Sequence, residues 1–183
     1  LTLKNKLKKA KVFSLDNLSR KGSKYNLNLL NKNKIINYKI DITDFKKISK
    51  LKKFDLIIDC CAEPAIEASK YDSDRVFNTN LLGTFNILKK CVKDRANIIF
   101  LSSSRVYSIQ KLRDLIKKNN ISKPLRTKYR INEHFVTSSA SSLYGFTKLA
   151  SEKLIKEMFY KTNLKFLINR FGVIAGPWQF GKQ

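Results

Sequence analysis

The string Tyr144-Gly145-Phe146-Thr147-Lys148 sets a phenol and an ammonium four residues apart, so on a helix both project from one face. A tyrosine ordinarily keeps its proton to about pH 10, and a fixed cation beside it favours the phenolate. The result is a base that can take a hydroxyl proton while hydride leaves the same carbon. Alone this spacing is weak evidence, because a chain with 38 Lys and Arg residues presents chance surface pairs of the same kind. The run Phe100-Leu101-Ser102-Ser103-Ser104-Arg105-Val106-Tyr107 adds to it. It places a row of hydroxyls where a strand should end, and open α/β sheets bind ligands at that end. Ser103 is the candidate to hydrogen-bond the reacting oxygen; taken alone, such a run could equally cap backbone groups.

A second group of residues has the chemistry of a nucleotide crevice. Asp16-Asn17 ends an apolar run, and an acid in that position of a dinucleotide fold accepts the adenosine ribose hydroxyls. Asp there favours NAD over NADP, and Arg20 nearby weakens the preference; a plain turn or helix cap is the alternative. Asp41-Ile42 and Cys61-Ala62-Glu63-Pro64 follow two further apolar runs, so each exit carries small or polar residues toward one edge. Asn78-Thr79-Asn80-Leu81-Leu82-Gly83-Thr84 falls within a helical stretch, where Gly83 reads best as a close helix-packing position.

The elements that must hold these groups alternate in kind. Short runs rich in β-branched residues predict strands at Lys11 to Leu15, Ile35 to Lys39, Asp55 to Cys60, Asn97 to Ser102 and Leu164 to Arg170, all parallel in one buried sheet. Apolar residues at three- and four-residue spacing predict helices at Tyr25 to Leu30, Phe45 to Leu51, Asp74 to Cys91 and Ser142 to Lys161, the last buried along Leu149, Leu154, Ile155 and Met158. Asn26 to Asn33 reads as polar loop or partial helix. Ile109 to Ala140 is long for a loop, and Gln110 to Lys118 within it has helical spacing.

An apolar share of 43% in 183 residues suits one compact domain, and no run approaches the roughly 20 apolar residues of a membrane span. Cys60, Cys61 and Cys91 give neither a paired framework nor, with the single His134, a metal-ligand spacing. A reducing cytoplasm without a structural metal is the expectation. The net charge of +24 would ordinarily suggest a polyanion. Its lysines are spread along the whole chain, and stacking platforms are missing, so neither nucleic acid nor membrane is the expected partner. Leu1-Thr2-Leu3 begins without Met, and the chain reads as a truncated piece. A basic, non-catalytic Rossmann-like binding module remains the rival of another class.

Together these strings resemble the extended short-chain dehydrogenase/reductases that act on nucleotide sugars, over Asp16 to Lys182. The most telling string is Asn169-Arg170-Phe171-Gly172-Val173-Ile174-Ala175-Gly176-Pro177-Trp178-Gln179. Asp59-Cys60-Cys61-Ala62-Glu63-Pro64 and Lys148-Leu149-Ala150-Ser151-Glu152 also contribute. The resemblance implies a Rossmann-type doubly wound parallel sheet, NAD as cofactor, and a nucleotide-diphosphate sugar as substrate. The likeness is greatest to 2-epimerases of CDP-sugars, which take hydride from C2 and return it to the other face. Another 4-epimerase is a milder possibility. A dehydratase is disfavoured, since the Asp-Glu pair such enzymes carry after the active-site Thr is Ser104-Arg105 here.

By the same resemblance Tyr144, Lys148 and Ser103 are catalytic. Asp16, Asn17, Ser19, Arg20, Asp41, Ile42, Ala62, Asn80, Ser102, Tyr144, Lys148 and Arg170 would meet the cofactor; Glu63, Pro64, Ser104 and Arg105 would meet the substrate. A homo-oligomer is an expectation of resemblance only. Residues 1–183 would form a partial NAD-binding domain, with the first strand, its glycine-rich turn and most of the substrate domain outside it. Poor NAD binding by the isolated piece is then expected. So is a gap, or an abnormal direct pairing, between the strands at Lys11 to Leu15 and Asp55 to Cys60.

Overall fold

The computed structural model of the chain describes residues 1–7, 9–64, 71–118, 131–139, 141–174 and 176. In chain order these form α1 (Thr2–Lys6), β1 (Phe13–Leu15), α2 (Ser23–Lys32), β2 (Ile36–Tyr38), α3 (Phe45–Ile48), β3 (Leu56–Asp59), α4 (Ser73–Phe77), a π-helical turn (Asn78–Leu82), α5 (Gly83–Asp94), β4 (Asn97–Ser103), a 3-10 turn (Ser104–Val106), α6 (Ile109–Lys118), α7 (Leu143–Phe159) and β5 (Phe166–Phe171). This is a Rossmann-like α/β fold with parallel strands.

β4 is the central strand because its pattern suits burial. Ile98 and Phe100 are fully buried on one side, and Ile99 and Leu101 half-buried on the other. It pairs in parallel with β3 (Ile58 opposite Ile99) and with β5 (Phe100 opposite Ile168). Ile87, Leu88 and Cys91 of α5, and Ile155 and Phe159 of α7, close the core over it. Each such side chain removed from water contributes on the order of 2 kcal/mol. The approach to β3 is fixed by a buried cation. Lys90 Nζ donates to the carbonyls of Leu51 (3.0 Å) and Lys52 (3.0 Å) and pairs with Asp94 at 2.7 Å. Asp94 in turn accepts from Phe54 N at 3.1 Å.

The expected single sheet of five strands is two sheets. β1 pairs in parallel with β2, and β3, β4 and β5 form the other sheet. No ladder joins β1 to β3 among the described residues. A cavity of about 150 Å³ lies there instead, lined by Phe13 and Leu15 from one side and Leu56, Ile58 and Asp59 from the other. Neighbouring strands must approach to about 4.8 Å to share hydrogen bonds, so the outcome is the gap and not a direct pairing.

The expected helices are found, and one of them differs in what it buries. The polar run Asn26 to Asn33 lies almost wholly within α2. The helix foreseen from Asp74 to Cys91 is an unbroken helical run through α4, the π turn and α5. In α7 the expected stripe is found in part, with Ile155 buried and Leu154 and Met158 packed half-buried against the core, and Thr147, Lys148, Ser151 and Glu152 bury polar groups ahead of it. The helix expected from Gln110 to Lys118 is α6. Residues 119–130, Ala140, Ala175 and the end of the telling string, 177–179, lie outside the described residues.

Candidate active site

Helix α7 begins where Ser142 Oγ accepts from Gly145 N at 3.1 Å, a side-chain cap on an otherwise orphaned donor. Gly145 is buried against the turn after β4: a Cβ there would overlap the Arg105 carbonyl oxygen and lie 2.9 Å from Ser141 Oγ. Only a glycine lets the helix start approach the Ser103–Arg105 turn so closely. Ser103, buried, accepts from Arg105 N at 3.1 Å. Tyr144 is half-buried at this junction, and its carbonyl accepts from Thr147 Oγ1 at 2.9 Å.

One turn on, Lys148 is 1% exposed. Its Nζ donates to the carbonyls of Leu101 (3.0 Å) and Cys61 (3.4 Å) and sits 4.5 Å from the Phe100 ring centre. Burial lowers its pKa, and among its neighbours Asp59 most opposes that shift. Asp59 is buried beneath, accepting from Cys61 N at 3.0 Å and Thr84 Oγ1 at 3.1 Å. Burial raises its pKa and Lys148 opposes the rise. The Cys61 thiol is pushed up to about 12, first by burial and then by Asp59, so it stays protonated and unreactive at neutral pH.

A second constellation, one turn further along α7, ties the helix to β4 and β5. Glu152 accepts from Ser102 Oγ at 2.5 Å and from Arg170 through Nε (2.9 and 3.2 Å) and Nη2 (2.6 Å). Arg170 also donates to the Glu133 carbonyl at 2.9 Å and lies 5.1 Å from the Tyr107 ring centre. Its pKa is raised, mainly by Glu152. Asn80 is likewise an internal connector: its Oδ1 accepts from Glu63 N (2.7 Å), and its Nδ2 donates to Glu63 O (3.2 Å) and Thr147 Oγ1 (3.3 Å). Ser102, Arg170 and Asn80, read from the sequence as cofactor contacts, therefore have protein partners, because each is needed to satisfy a neighbouring buried polar group. Glu152 and Asp59 were not foreseen as site residues. The signal for Glu152 was its place one turn beyond Lys148 on the same helix face.

The remaining cofactor candidates converge. Asp16, Asn17, Ser19, Arg20, Asp41, Ile42 and Ala62, with Glu63, line one open crevice of about 880 Å³ at the strand exits, a size that suits an organic ligand. Asn17 Nδ2 donates to Asp41 Oδ2 at 2.7 Å, and Thr43 Oγ1 to Asp41 Oδ1 at 2.6 Å. The Thr43 hydroxyl is the main reason the Asp41 carboxyl is held below the ordinary range. Two carboxylates and an amide at one end fit a ribose that must be recognised through its hydroxyls. Among the described residues lining the crevice there is no glycine-rich turn to cradle a diphosphate. Tyr144, Lys148 and Ser103 do not line this crevice; Lys148 reaches its wall through the Cys61 carbonyl. Pro64 and Arg105 are exposed and Ser104 is half-buried at the rim of the same sheet end.

Two curated relatives and a solved structure share this framework. UDP-glucuronate 4-epimerase 4 of Arabidopsis thaliana is 26% identical over 140 residues, 75% of this chain and 28% of that protein. dTDP-D-glucose 4,6-dehydratase of Dictyostelium discoideum is 26% identical, covering 97% of this chain and 41% of that protein. The chain thus spans well under half the length of either. UDP-glucuronic acid 4-epimerase of Bacillus cereus, solved in complex with NAD, superposes with a TM-score of 0.71 at 20% identity over 97% of this chain and 53% of that one. The sequence model of the NAD dependent epimerase/dehydratase family matches residues 2–183, and the chain belongs to that family.

Proposed function

We propose that this chain is the NAD-binding part of a nucleotide-sugar epimerase in which Tyr144 is the acid/base. NAD would supply the hydride acceptor and donor, with Asp16, Asn17 and Asp41 placed to hold its adenosine ribose. The chain's own residues manage the proton. Tyr144, as phenolate, takes the hydroxyl proton while the carbon's C–H bond breaks with both electrons, leaving a ketone, and gives the proton back in the reverse step. Lys148, one turn further along the same helix, would supply the cation of the pair, and Ser103 would hydrogen-bond the reacting oxygen. Asp16, Asn17 and Asp41 receive the adenosine ribose; Glu63, Pro64, Ser104 and Arg105 border the sugar.

The observation carrying this reading is the junction of α7 with the β4 exit, where Gly145 seats the helix start on the turn holding Ser103 while Lys148 is bonded to Leu101. The test is Tyr144→Phe in the full-length protein, which should lower kcat on the order of 10²- to 10⁴-fold in an assay that separates the two sugar epimers. Unchanged epimerisation would refute the assignment.

For the substrate we favour a CDP-sugar and inversion at C2, as in CDP-paratose 2-epimerase, also called CDP-tyvelose epimerase, whose product serves lipopolysaccharide O-antigen. The strings Asp59-Cys60-Cys61-Ala62-Glu63-Pro64 and Asn169-Arg170-Phe171-Gly172 support it, and Ser104-Arg105 weighs against a dehydratase. The configuration of the product distinguishes this from 4-epimerisation when read from the ring proton couplings by NMR: inversion at C2 is expected, and inversion at C4 would replace the reading.

A further inference from the structure

Two arginines of the crevice, Arg20 and Arg75, share one carboxylate. Glu63 Oε2 lies 2.8 Å from Arg75 Nη2, and its Oε1 lies 3.8 Å from Arg20 Nη2. Glu63 is fixed in this role. Its side chain is 9% exposed, and its backbone N–H and carbonyl are both bonded to the fully buried Asn80 amide, at 2.7 and 3.2 Å.

Arg20 comes from the loop after β1 that also carries Asp16 and Asn17. That loop is tightly shaped: Asp16 Oδ1 accepts from Leu18 N at 2.6 Å, Asn17 Oδ1 accepts from Ser19 N at 3.0 Å, and Leu18 between them takes a φ of 59°. A leucine in the left-handed region costs on the order of 1 kcal/mol, so the turn is held by its hydrogen bonds and sets the direction of Arg20. A guanidinium that lines the same crevice as the ribose-accepting carboxylate, and comes from the same loop, is able to bind a phosphate on that ribose. Here it is turned across the crevice to Glu63.

We infer that Glu63 determines dinucleotide specificity by holding Arg20 away from the ribose, so that the crevice takes a free 2′-hydroxyl in preference to a 2′-phosphate. The inference rests on the dinucleotide reading of the crevice. Its electrostatics agree: the carboxylates of Asp16, Asp41 and Glu63 outnumber the guanidiniums of Arg20 and Arg75, and a phosphate dianion brought beside them is repelled. Losing the Glu63 charge would leave two carboxylates against two guanidiniums and at the same time release Arg20.

The experiment is calorimetric titration of the full-length protein with NAD and with NADP. Glu63→Gln should shift the affinity ratio toward NADP by roughly three- to tenfold, and adding Arg20→Ala to that variant should abolish the shift. An unchanged ratio in Glu63→Gln, or a shift that survives removal of Arg20, overturns the inference. Arg20→Ala alone, at an exposed position, guards against a folding defect in the first variant. It should not shift the ratio toward NADP, and such a shift would mean that removing the guanidinium, not freeing it, admits the phosphate, which would overturn the inference. If the unmodified protein binds neither dinucleotide, the cofactor reading of the crevice fails first and takes the inference with it.

Discussion

The β3–β4–β5 sheet and the β1–β2 pair are built from similar residues and end in opposite conditions. In the first, β4 is paired on both edges and alternates buried with half-buried residues, and the polar groups near its exit are matched inside the protein: Lys148 to two carbonyls, Glu152 to Ser102 and Arg170. In the second, no residue of β1 or β2 is fully buried, β1 is bonded only to β2, and its other side faces the cavity toward β3. A parallel strand is stable when both faces and both edges are covered. The half proposed to do proton chemistry meets that condition, and the half proposed to hold the adenosine does not. The proposed catalytic groups are therefore fixed by the chain's own packing, and the nucleotide end is held by fewer such contacts among the described residues.

The largest expected effect on this contrast comes from Glu152→Ala. It leaves the Arg170 guanidinium, only 14% exposed, without its carboxylate, and breaking such a buried pair costs about 3–5 kcal/mol. Denaturant unfolding should record a loss of that order. A loss below about 1 kcal/mol would mean that the brace is no stronger than a surface pair and that the two halves are alike. Next in size is hydrogen exchange. Amides of β4 should exchange only on global unfolding, whereas those of β1 and β2 should exchange at least about tenfold faster through local opening; equal protection would erase the distinction. The smallest effect concerns pH. Asp41 has a lowered folded pKa, so its contribution to stability is present above the unfolded carboxylate value and is lost as pH falls through the folded one. Thr43→Val removes the hydroxyl chiefly responsible and should move the Asp41 titration upward, toward the ordinary range, when followed by NMR. The β4 amide shifts should not change.

Much of the core was legible because local rules and global packing agree there. Ile98 to Leu101 reads as strand and is strand, and the helix read from Ser142 begins there, capped by it. Legibility fell where one residue type has two uses. Asn80, Ser102 and Arg170 look like ligand contacts in one dimension, yet a buried amide, hydroxyl or guanidinium is equally a requirement of the interior. Which it is depends on the neighbour that folding brings within 3 Å. Asn26 to Asn33 misled because asparagine disfavours helix intrinsically, whereas Leu27, Leu29 and Leu30 help to carry the helix through it.

By itself the sequence determined the alternation of strands and helices, the phenol and ammonium on one helix face, and the acids at the strand exits, because these depend on spacing along the chain. Tertiary structure alone decided that Gly145 would press α7 onto the Ser103 turn, that Glu63 would collect two arginines, and that β1 would stand apart from β3. Those outcomes depend on distances between segments far apart in sequence, which are set by how side-chain volumes and hydrogen bonds can be satisfied together and not by the periodicity of any one segment.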